Sequence, residues 1–163
     1  MKFVIAAILL FFSVTANAEI AFPPMSITSP ATVGPLNDLI IADQATGGCW
    51  TNLGEAKRYA EDRLRLKGYK IEPAKDELDR GIQYKMFILV HAERGAGGVC
   101  FGNIYVELFS LSRHLDNPLA EDDALWKFTV GRHVLASHGG VAINSDNLNE
   151  FVLDVIRKFT EAL

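Results

Sequence analysis

The chain predicts an α+β fold: a mostly antiparallel sheet of four to five strands with two amphipathic helices packed on one face. Three observations carry this. Two segments place apolar residues at helical spacing, Leu53–Leu64 and Leu148–Phe159. Between them lie several runs of alternating apolar residues. Two of those runs, Ile82–Val90 and Cys100–Leu111, are separated by Gly95-Ala96-Gly97-Gly98. Helices with one apolar stripe and strands with one apolar face bury those surfaces against each other.

Lys2 precedes an unbroken apolar run from Phe3 to Phe12, and Ala16-Asn17-Ala18 gives a small-residue ending before Glu19. This is the order of a secretory signal peptide, with cleavage expected after Ala18. The apolar run is shorter than the ~20 residues a bilayer span needs, so an integral membrane protein is not expected. Removing 18 of 163 residues leaves 145, enough for one domain with a substantial core. The mature chain has 15 basic and 20 acidic side chains, because Lys2 is lost with the leader. That acidic balance argues against a nucleic-acid partner, which needs a basic patch.

The expected organisation is a signal peptide over 1–18, a proline-rich arm over 19–43 and a single α+β domain over 44–163. Pro23, Pro24, Pro30 and Pro35 fix extended backbone and remove donors, so the arm holds no helix. Leu39–Ala42 is apolar and is expected to add an edge strand. Asn52 followed by Glu55 predicts a capping box opening a helix over 52–67, with Gly68 as its stop. Tyr69–Ile71 is expected to be a short strand ended by Pro73, and Ala74–Arg80 a charged loop or one helical turn.

In the next strand Tyr84, Met86, Ile88 and Val90 alternate with Lys85, Phe87, Leu89 and His91, so its middle is apolar on both faces. The returning strand buries Ile104, Val106 and Leu108 and presents a mixed face of Asn103, Tyr105, Glu107 and Phe109. The glycine-rich connection makes the two an antiparallel hairpin. Arg113–Asp123 is a polar connection, and Leu125–Ala136 a further strand carrying Trp126, Phe128 and Val130 on one side. Gly139-Gly140 is expected to break that strand, and the last helix to start near Ser145 or Asp146.

Cys49 and Cys100 in an exported chain predict one disulfide. Export also sets the expected location, periplasmic or secreted. The glycine loop is no phosphate cradle, since a strand rather than a helix follows it. His91, His114, His133 and His138 lack metal-ligand spacing, so neither metal nor cofactor is expected. Glu107 with Glu121, Asp122 or Asp123 would be needed for a glycosidase acid pair, and Glu107 is more simply an exposed residue of a mixed face.

Gly47-Gly48-Cys49-Trp50 ahead of a helix resembles the surroundings of the nucleophile in papain-like cysteine peptidases. The resemblance covers four residues and implies a thiol hydrolase with Cys49 as nucleophile, His133 as base and Asn144 as orienting residue. The disulfide competes for the same sulfur. The arrangement of elements also resembles the small periplasmic α/β modules of envelope-associated proteins, such as the N-terminal domain of TolB, without a shared motif. The principal expectation is therefore a non-catalytic interaction module for a protein or cell-envelope component, or for a second copy of itself as a homodimer. Phe87, Leu89, Tyr105 and Phe109 are its candidate interaction face.

Overall fold

The computed structural model describes residues 29–73, 82–115, 128–144 and 146–163. The expected signal peptide, the first residues of the arm, the whole Ala74–Arg80 segment, Asn117-Pro118, the acids 121–123 and Trp126 lie outside the described residues.

The element order is β1 (Leu36–Ala45), α1 (Leu53–Leu66), β2 (Gln83–Arg94), β3 (Cys100–Leu115), β4 (Phe128–Asn144) and α2 (Asn149–Ala162). One four-stranded sheet runs in the order β1-β2-β3-β4. The fold is α+β as the sequence indicates, but the sheet is mixed. β2, β3 and β4 pair antiparallel, whereas β1 pairs parallel with β2. The reason is α1, which carries the chain back from the end of β1 so that β2 starts beside its beginning. The edge strand expected at Leu39–Ala42 is β1, extended at both ends.

Alternation decides which side faces the helices. Met86, Ile88 and Val90 of β2, with Ile104, Val106 and Leu108 of β3, are buried on the inner face. Against them lie Ala56, Ala60 and Leu64 of α1 and Val152, Val155, Ile156 and Phe159 of α2. Small alanines on α1 let that helix come close to the sheet, while the larger α2 side chains fill the rest of the layer.

Four local expectations are corrected. Asn52 makes no capping bond to the helix backbone. Its Oδ1 instead accepts the indole N–H of Trp50 at 2.8 Å, and its Nδ2 donates to Glu55 at 3.0 Å. A buried indole needs an acceptor, and Asn52 supplies it. Tyr69–Ile71 is not a strand: Ile71 makes a single bridge to Leu36, while Tyr69 is drawn into the core.

Gly139-Gly140 does not break β4, which passes through both. A side chain at Gly140 would meet the Phe151 ring at 3.0 Å and Val155 at 3.1 Å, so the glycine admits α2 onto the sheet. The last helix begins at Asn149, later than expected, because Leu148 is spent as a buried anchor whose N–H donates to the Cys49 carbonyl at 2.8 Å.

The β2–β3 hairpin forms as expected, with the two strands antiparallel. Gly98 takes φ 78° and its N–H donates to the Gly95 carbonyl at 3.0 Å, the left-handed turn that the glycine run allows. At this end of the sheet the Arg94 guanidinium donates to three carbonyls, of Gly47 at 2.7 Å, Gly98 at 2.5 Å and Asp146 at 2.8 Å. One side chain thereby joins the β1–α1, β2–β3 and β4–α2 connections.

Candidate functional site: the outer face of the sheet

The two helices cover the inner face, so the side chains that alternate outward form a second surface. Register places Phe87 opposite Glu107 and Leu89 opposite Tyr105, with Ile40 and Ala42 of β1 beyond Phe87 and Leu89. On the other side Glu107 faces Ser137, Tyr105 faces Gly139 and Phe109 faces Val134. The four residues expected at the interaction face therefore share one surface. Phe87 and Leu89 are half-buried and Tyr105 is 37% exposed. Phe109 is only 5% exposed, because the Arg132 guanidinium lies over its ring at 4.5 Å from the centroid.

The reading of Glu107 as an exposed residue is corrected: it is 1% exposed. Arg132 donates to its Oε2, and among the described residues the buried Oε1 finds no hydrogen-bond partner. This ion pair sits at the centre of the face, between the aromatic side chains. Burial and the neighbouring Glu107 carboxylate push the Tyr105 hydroxyl above its ordinary value, while Arg132 partly opposes this. Tyr105 therefore stays a neutral hydrogen-bond donor over the physiological range. Arg132 itself carries no sequence motif. The available signal was that Glu107 is the one acid between Asn103 and Leu111, and Arg132 the one Lys or Arg between Phe128 and Ile143.

The thiol-hydrolase residues are not brought together. Cys49 and Cys100 are disulfide-bonded with Cα atoms 5.5 Å apart, and both are fully buried, so Cys49 has no thiol to act with. Asn144 stands opposite Cys100 in the ladder, whereas His133 stands opposite Ser110. The two are eleven residues apart on one strand, about 35 Å of extended chain, which puts His133 at the far end of the sheet from the sulfur. Among the described residues no three His, Cys, Asp or Glu side chains form a group that could hold a metal ion. Among the described residues no helix is long and apolar enough to cross a membrane.

His138 is buried on the inner face of β4, and burial, with the Lys158 charge, pushes its imidazole below the ordinary value; Asp154 partly offsets this. A depressed imidazole is neutral in the folded state while the unfolded chain still takes up a proton near 6.5. Its contribution to stability is complete above about pH 6.5 and is lost as pH falls through the folded-state value. The thermal midpoint is expected to drop between about pH 7.5 and about pH 5, and His138→Gln to flatten that part of the profile. An unchanged slope in the variant would assign the drop to other groups. Asp154 acts in a separate window: hydrogen bonds from Lys158 and Arg157 hold its carboxyl below the ordinary 3.8, so its contribution is lost only at more acidic pH.

No protein-family model and no curated protein matches the chain. Solved structures that it is similar to include a PelC dodecamer from Paraburkholderia phytofirmans, at 12% identity over 86% of this chain and 92% of that one, with a TM-score of 0.38. A single-substitution variant of that dodecamer gives 13% identity over 83% of this chain and 94% of that one, with a TM-score of 0.39. A likeness at this identity concerns the fold alone.

Proposed function

We propose that the protein is an exported, non-catalytic binding module, working in the periplasm or outside the cell after cleavage following Ala18, that docks a protein or cell-envelope component on the outer face of its sheet. The observation that carries this reading is the face itself. It is left uncovered by α1 and α2, and exposed Tyr105 stands between half-buried Phe87 and Leu89 over the fixed Glu107–Arg132 pair. An exposed aromatic anchor beside a buried carboxylate held by a half-exposed arginine is a composition suited to an interface centre. The disulfide supports an oxidising compartment, where such bonds persist.

Phe109 is not part of the contact surface in this reading. It is the platform under Arg132. The test is capture from the native envelope fraction by the wild-type protein and by the Tyr105→Ser, Leu89→Ser double variant. A single stoichiometric partner is expected with the first and at least a tenfold loss with the second, since an interface anchor is worth about 2 kcal/mol or more. Circular dichroism controls for folding. Equal capture by both proteins would remove the face from the function.

A further inference from the structure

The described sheet has a free edge at β4, 17 residues long. Edges of this length are normally guarded by lysine, proline or inward-pointing charge. The run Val134–Ile143 has no Asp, Glu, Lys, Arg or Pro, and its one titratable side chain, His138, turns into the core.

Beside this edge the outer face is apolar. Val141 is 68% and Ile143 78% exposed, and Phe101, Tyr105 and Val134 are partly exposed next to them. With large apolar side chains at 150–250 Å² each, the group leaves roughly 400–500 Å² open to solvent. This is the size of a typical monomer's largest patch, about 300–600 Å², which is often functional.

We propose that this edge is a self-association surface, on which β4 pairs antiparallel with β4 of a second copy about a two-fold axis at Val141, joining the sheets of the two copies into one of eight strands. Charge and shape favour a second copy as the occupant. Edge pairing would bury the facing backbone edges of the two strands and the flanks of the Val141 and Ile143 side chains beside them.

An isologous contact sets the residue on the axis against its own equivalent and pairs the others reciprocally, so a charge on the axis would meet its like. This strand carries none over the paired length. Pairing centred on Val141 brings Ile143 opposite Gly139 of the second copy, a large side chain over a position that has none. Phe101 and Tyr105, the β3 neighbours of Ile143 and Gly139, flank that contact. The surface shares Tyr105 with the Phe87 and Leu89 end of the outer face, but Val141, at which it is tested, stands opposite Asn103, away from Phe87 and Leu89.

The test is sedimentation equilibrium of the purified disulfide-bonded protein up to about 100 μM, enough to populate a dimer of micromolar affinity. The wild type is expected to reach the mass of a dimer. Val141→Lys and Val141→Glu change one exposed side chain each and are expected to stay folded. Each alone is expected to weaken association by about 100-fold, because like charges face one another across the axis. An equimolar mixture of the two is expected to dimerise again.

A monomeric wild type at all concentrations, a dimer that survives Val141→Lys, or failure of the mixture to associate would each overturn the proposal. So would a wild type that stays monomeric and instead pairs this edge with a strand of another protein. All four outcomes leave the Tyr105 and Leu89 capture result unaffected.

Discussion

Replacing Cys49 and Cys100 together by serine is expected to lower the unfolding free energy by about 4 kcal/mol. The bond joins positions 51 residues apart, and loop-closure entropy in the unfolded chain sets that magnitude. Both sulfurs are fully buried, so the serine hydroxyls also lose water, although the Asp146 carbonyl, 3.4 Å from the Cys100 sulfur, offers an acceptor to one of them. Domains have only about 5–15 kcal/mol in total, so the variant should be close to its folding threshold at 37 °C.

Urea denaturation of the oxidised wild type and the double-serine variant measures the difference. A gap under about 1 kcal/mol would show that the unfolded chain already keeps these two positions close without the bond.

The second large effect is expected at Arg132. Its removal leaves Glu107 as a buried carboxylate with neither oxygen bonded to a cation. Breaking a fully buried pair costs about 3–5 kcal/mol, but Arg132 is half-exposed and water can partly replace it, so Arg132→Leu should cost about 2–3 kcal/mol. Glu107→Leu combined with Arg132→Leu should recover most of this, because no charge is then left buried. A double-mutant cycle by denaturation separates the pair from the packing of Arg132 on Phe109. An Arg132→Leu variant as stable as the wild type would mean that Glu107 finds another donor.

Much of the architecture was legible because it rests on periodicity. The alternation in 84–91 and 103–109 separated inner from outer side chains correctly, and the apolar stripe 148–159 located α2. Two cysteines in a chain expected to be exported were enough to pair them. What escaped depended on contacts across the fold. Parallel pairing of β1 is set by where α1 returns the chain, which no local pattern encodes. Gly139-Gly140 carries the same signal whether it ends a strand or admits a helix, and only the approach of Phe151 distinguishes them.

The same limit applied to the outer face. Phe87, Leu89, Tyr105 and Phe109 could be grouped from alternation alone. Their different exposures could not, because these follow from the reach of Arg132 across β3 to Glu107. Strand register decides that pairing, and the β3–β4 register shifts between Leu108 and Phe109. Asn52 likewise looked like half of a capping box until the Trp50 indole claimed its oxygen.

The outer face as a docking surface is tested most directly by a photo-crosslinking residue placed at Tyr105, with the same residue at Lys57 on the exposed side of α1 as control. In the native envelope fraction, position 105 is expected to yield one discrete adduct that excess unmodified protein competes away, and position 57 none. No adduct at 105, or the same set of products from both positions, would contradict a docking role for this face.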